Sequence, residues 1–213
     1  ADELFVYPHC GRVLLPQFCR FLDGAGAQAV LCLLLDMYSD KPLGETVHRP
    51  GAPLTETCAW FDPGPYRSIR AASFPHVQYY GGVRERVFRP SESHGHHPPT
   101  VSKVPLVKWR AGLRYTLSTH ALSPVAMSDI GAALLHFKFL HDFHDRAVSE
   151  VARGEHFDGA REYRAYLDLL EKSGPVNFRD AGAQHYENSA QLVRLGLMRS
   201  SQAFEQFAAA APG

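Results

Sequence analysis

Charge of one sign is missing from this chain, and with it goes a class of partners. Lysine and arginine number 22, aspartate and glutamate also 22. No net field of the kind that draws nucleic acid to a protein surface can arise from that balance. Long apolar runs are equally scarce. The longest, Ala29 to Leu35, has the length of a strand and falls far short of the roughly 20 residues that span a bilayer. Cysteine is sparse: Cys10, Cys19, Cys32 and Cys58 are scattered without a CxxC pair. That argues against a disulfide framework and for a reduced, cytoplasmic setting, at most peripheral to the inner face of a membrane. The start lacks a methionine, a basic leader and a signal-like apolar stretch. Instead, two acids run straight into Leu4, Phe5, Val6 and Tyr7, like the tail of a buried strand. The expectation is a fragment or a processed chain.

What is present suffices for a folded domain. With 45% hydrophobic residues in 213, the chain can bury a real core. Residues 13–22 place apolar side chains at helical spacing, and Gly24 and Gly26 follow as stop signals. Ala27 to Tyr38 is a continuous apolar run suited to a strand covered on both faces. Strand, helix and buried strand together predict an α/β fold with a mostly parallel sheet. Pro42 to Pro65 reads as a long functional loop. Further strands are expected at Val77–Tyr80, Val83–Phe88, Val104–Trp109, Tyr115–His120 and Ala132–Phe139, with a surface loop at Pro90–Pro99. After residue 140 the texture turns helical, over 142–153, 158–172 and about Ala183 to Phe207. The division expected is 1–140 for the sheet-bearing part and 141–213 for a helical C-terminal segment.

Several residues could carry chemistry. Asp2 and Glu3 read on residue type as solvated acids at a chain end. At a strand end they could equally hold a divalent cation against a phosphate. His136 and Lys138 alternate with apolar residues in LLHFKF, so on a strand they share a face. They are either a phosphate-facing pair or the wet side of an edge strand. His94, His96 and His97 lie in a proline- and glycine-rich loop, and His141 and His144 stand three apart on a helix. Neither group has the carboxylate pattern of a zinc site.

The opening ADELFVYP resembles the end of the D-A-D-E-[FL] segment of family 2-like glycosyltransferases of the GT-A type, particularly bacterial ones. LLLDMYSDKPL at 33–43, SKVPLVKWRAGLRYTLSTH at 102–120, ALLHFKFL at 133–140 and RGEHFDGAREYRAY at 153–166 resemble the same family in the same order, and together they cover most of the chain. The resemblance implies a partial GT-A-like sheet with helices, lacking the nucleotide-binding half that precedes the motif, and so a fragment that could be inactive by itself. It implies transfer of a sugar from a nucleotide diphosphate donor to a glycan or other hydroxyl acceptor, assisted by Mn²⁺ or Mg²⁺. Asp2 would then be a metal ligand with Glu3 beside the donor. His120, ending LSTH, would complete the metal site, and Lys103 would meet a phosphate.

Transfer with inversion also needs a base for the acceptor hydroxyl. Asp36, just beyond the apolar run, is one candidate. Asp62, with Trp60, Phe61 and Tyr66 nearby as sugar-stacking surfaces, is the other, and the resemblance does not choose between them. Two different readings stand beside this one. A metal-dependent phosphoester hydrolase would demand a denser set of ligands, and a non-catalytic carbohydrate-binding module would use the aromatic residues of 60–80.

Overall fold

The computed structural model describes residues 2–70, 75–88, 100–155 and 157–211. Strands run Glu3–Val6 (β1), Ala29–Tyr38 (β2), Trp60–Phe61 (β3), Tyr66–Ile69 (β4), Gln78–Gly81 (β5) and Ser102–Val107 (β6). Tyr115–Leu117 (β7), Ala121–Leu122 (β8), Ala132–His136 (β9) and Gln184–His185 (β10) follow. Helices are Leu15–Gly24 (α1), Leu54–Thr57 (α2), Val83–Phe88 (α3), Phe143–Arg153 (α4), Phe157–Ser173 (α5), Ser189–Arg194 (α6) and Gln202–Ala210 (α7). The molecule is mixed α/β.

β2 is the spine. Every one of its residues except the half-buried Leu31 is buried, as expected of a leucine- and valine-rich run covered on both faces. It pairs with β9 along one edge, and along the other with β6 at its start and β3 at its end. The main sheet reads β1-β9-β2-β3-β10, with β6 also on β2. The expected parallel sheet is not what forms. Within this sheet only β2 and β9 run parallel; β1, β3, β6 and β10 all pair antiparallel. β9 lies between β1 and β2, parallel to β2 and antiparallel to β1, so the two strands of the strand–helix–strand opening run in opposite directions.

Other expectations shift as well. Residues 83–88 form a helix rather than a strand. Val83 is buried and Val87 half-buried in one cluster with Tyr38, Phe139, Phe143 and Tyr166, an i, i+4 pair that shares one face of the helix. The helical stretch expected across 183–207, with a break near Arg199 and Ser200, forms as β10 and two short helices that part across that point, capped by Asn188 accepting from the Gln191 amide and Ser201 accepting from the Phe204 amide. Two hydroxyl or amide caps within one stretch mark two helix starts. α7 folds back onto α1, where Phe204 meets Phe18 and Phe21 at ring-centroid distances of 5.3 and 4.8 Å. Helices α4 and α5 pack against one another. No helix among the described residues is long and apolar enough to cross a membrane.

Candidate metal and anion site

The topology places three chemical groups in one row. Glu3 on β1 stands opposite His136 on β9, and His136 stands opposite Asp36 on β2. Direct cross-strand partners project to the same face. The row lies where the parallel pair β2 and β9 finishes, the end of an α/β sheet that usually meets ligands. Asp2 was expected at the close of a strand and instead immediately precedes one. Because β1 runs antiparallel to β9, its beginning still lies beside the end of β9, and the Phe137 amide donates to the Asp2 carbonyl at 2.8 Å.

A cleft of roughly 270 Å³ opens above this row. Asp2, Lys103, His120, His136 and Lys138 all line it, so five of the residues singled out in the sequence converge on one space. Asp2, Glu3 and His136 each offer a ligand atom, and these atoms lie within 4.8 Å of one another. Two carboxylates and an imidazole suit Mn²⁺ well, and Mg²⁺ if water supplies further ligands. His120 is not a member of this group. Its Nδ1 donates to the Ser102 carbonyl at 2.7 Å, and burial, opposed by that bond, keeps the imidazole below its usual pKa. Among the described residues, the histidine in this candidate ligand group is His136 of the sheet row and not the histidine after β7. His141 and His144 also stay outside it; His144 is exposed, 3.4 Å from Asp145. His94, His96 and His97 lie outside the described residues.

Beneath the cleft Asp36 is buried, 5% exposed. Arg84 of α3 grips it bidentately, Nε on Oδ2 at 2.6 Å and Nη2 on Oδ1 at 2.8 Å. His136 Nδ1 lies 2.7 Å from Oδ1. Burial alone would favour the neutral acid, but the Arg84 guanidinium and His136 outweigh it and hold the carboxyl well below the usual range. A carboxylate so committed accepts a further proton poorly. Its geometry suits the role of a support that fixes the imidazole: Nδ1 sits against Asp36 and within 3.0 Å of Arg84 Nη2, leaving Nε2 to face Asp2, whose Oδ2 is 3.5 Å away. Metal-bound histidines are typically oriented through their second nitrogen in this way. The nearby His136, opposed by burial, likewise holds Asp2 well below its ordinary pKa.

Asp62, the other base candidate, does not reach the cleft. It accepts from Tyr38 and, bidentately, from Arg86 at 2.9 Å for both contacts, and borders a separate hollow with Pro65 and Arg67. The aromatic residues beside it are committed too. Phe61 is fully buried, the Arg179 guanidinium lies 3.9 Å over the Trp60 ring, and Tyr66 donates to the Asp62 carbonyl at 3.2 Å. None of the three lines the cleft.

The helices contribute residues that sequence reasoning missed. Lys138 is buried among ring faces, its Nζ 4.3 Å from the centre of Tyr166 and 4.7 Å from Tyr163. It donates to Glu162 at 3.1 Å and to the Tyr166 hydroxyl at 3.2 Å. Glu162 turns inward and also lies 3.5 Å from Arg84. Burial opposes its ionisation, but Lys138 and Arg84 prevail and keep its pKa low. The only sequence sign of this was the i, i+4 spacing of Glu162 and Tyr166, which puts an acid and a phenol on one helix face. Arg84 and Arg146 also line the cleft. The whole is a small group of hard ligands beside a bank of cations, an arrangement able to hold a metal ion and a polyanion side by side.

Compared with known proteins, the chain matches no family model, no curated protein and no solved structure.

Proposed function

We propose that this cleft binds a nucleotide diphosphate sugar together with Mn²⁺ or Mg²⁺, and that the protein is a GT-A-type glycosyltransferase acting on a hydroxyl acceptor. The observation that carries this reading is the meeting of Asp2, Glu3 and His136 within 4.8 Å, two of which, Asp2 and His136, line a cleft together with Lys103, Lys138, Arg84 and Arg146. A nucleotide diphosphate needs both halves of that arrangement. Carboxylates and an imidazole hold the ion, while the positive charge lining the cleft draws the phosphate groups that the ion leaves uncovered. When bound, the ion would offset the charge that builds on the departing diphosphate. The ordered sequence resemblance supports the same reading independently of the geometry. In it Asp36 orients His136, and Asp62 belongs to a separate structural network.

Transfer from labelled nucleotide sugars to simple alcohol acceptors, with and without Mn²⁺, tests the reading. Asp2→Asn should lower turnover by about 10²–10³-fold, the scale of removing one electrostatic contact to a developing anion. Donor affinity should fall much less, because the contact matters most as charge develops. Transfer that proceeds undiminished in Asp2→Asn would sink the proposal.

A further inference from the structure

Four cationic side chains border the cleft, and they are not anchored alike. Arg84 is pinned by Asp36 through two short bonds. Lys138 is held by Glu162, the Tyr166 hydroxyl and two ring faces. Arg146 donates to the Lys138 carbonyl and lies 3.4 Å from Asp142. Lys103, projecting from β6, rests its ammonium on Glu3. Its anchor is therefore one of the three groups that would hold the ion.

We infer that Lys103 is an exchange residue, guarding Glu3 until a divalent cation takes that carboxylate and then turning to the diphosphate. The inference rests on the metal-and-diphosphate reading above. Its physics is short-range charge. An ammonium and a divalent cation cannot share one carboxylate oxygen closely without strong repulsion, whereas Lys103 has a flexible four-carbon stem and three rotatable donors. Released from Glu3, it remains in a cleft whose other cations keep their partners, so it is the positive charge free to meet an anion. Metal and diphosphate would thus bind cooperatively, because the anion offsets the charge that the metal has set loose. A second consequence is protection: with Lys103 on Glu3, the carboxylate pair does not attract stray cations in the absence of donor.

The test uses the whole chain and two binding measurements. Mn²⁺ alone is titrated calorimetrically into the protein, and UDP and GDP are then titrated at saturating Mn²⁺. Lys103→Met should tighten Mn²⁺ alone by about tenfold and weaken the nucleotide diphosphate by a similar factor, an opposite-signed pair of changes that loss of folding cannot produce. Lys103→Arg keeps the charge and should leave Mn²⁺ affinity within about twofold of the parent. Lys108→Met removes an equal charge from an exposed position paired with Asp23 and should change neither affinity. If Mn²⁺ binds equally to the parent and to Lys103→Met, the exchange is overturned while the metal site stands. Tighter Mn²⁺ with unaltered nucleotide affinity also overturns it, since Lys103 then only competes for Glu3. Should neither protein bind Mn²⁺, the metal reading and the exchange fall together.

Discussion

Asp36 and Arg84 are both more than nine-tenths buried, at 5% and 6% exposure, and each is the main answer to the other's charge. Such a pair adds little net stability compared with well-packed apolar side chains, yet removing one member strands the other in a medium that solvates it poorly. Arg84→Met should therefore cost about 3–5 kcal/mol in urea unfolding. Asp36→Asn combined with Arg84→Met should cost clearly less than the sum of the two single changes. Additive losses would mean that the pair is not coupled. The acid limb gives a second readout. Asp36 has a depressed pKa in the folded protein, so its contribution is fully present above the unfolded value of about 4 and fades as pH falls below it. Parent stability should drop through that window more steeply than that of the double variant. The result bears on function because this pair sets the ring of His136.

At the scale of elements, α3 shows how much depends on two glycines. Gly81 and Gly82 turn the chain from β5 into the helix that carries Arg84, with φ of 140° and 68°, conformations costly for any residue with a Cβ. Space forbids a side chain as well. A Cβ on Gly81 would lie 2.4 Å from the Pro65 carbonyl oxygen, and one on Gly82 would lie 2.6 Å from the Tyr66 hydroxyl. Gly81→Ala should destabilise by about 1–3 kcal/mol through backbone strain alone, and more once the clash is added. Gly24→Ala, at an open helical position with nothing within 4 Å, should be neutral or stabilising by up to about 1 kcal/mol. Thermal unfolding of the two variants side by side checks the contrast, and equal midpoints would refute it.

The same helix marks where sequence reading stopped. β2 was legible because the apolar run from Ala29 to Leu35 leaves little alternative. VRERVF was not, because β-branched valines flanking charged residues fit a short strand as well as a helix. Only the packing of Val83 and Val87 against Phe143 and Tyr166 decides. Strand direction in the main sheet was hidden for a related reason. Which strand slips between β1 and β2 depends on Ala132–His136, a segment about a hundred residues away.

For the whole molecule, the candidate site was legible in its parts and not in its connections. Asp2, Glu3, Lys103, His136 and Lys138 each stood out as chemistry near a strand end. That Glu3, His136 and Asp36 form one row follows from register, which no local pattern encodes. Arg84 and Glu162 went unnoticed because their partners are 48 and 24 residues distant, Asp36 and Lys138 respectively. The row joins three strands, and the cleft above it is completed by α3, α4 and α5, so an ion held there would tie the first strand of the chain to the centre of the sheet. A ligand that binds only the folded state stabilises it in proportion to the logarithm of its saturation, by about 2.7 kcal/mol at a hundred times Kd. In a protein of this size each kcal/mol moves the midpoint by about 2–4 °C. Mn²⁺ at that excess should raise the Tm by about 5–10 °C. Asp2→Asn should abolish most of the rise while leaving the metal-free Tm within about 2 °C, because the Asp2 side chain is half exposed and surface changes of this kind cost little. Asp23→Asn, which alters an exposed carboxylate paired with Lys108, should keep the full rise. Equal upward shifts in the parent, Asp2→Asn and Asp23→Asn would mean that the ion acts elsewhere on the protein, and the row of Glu3, His136 and Asp36 would lose its assignment as a metal support.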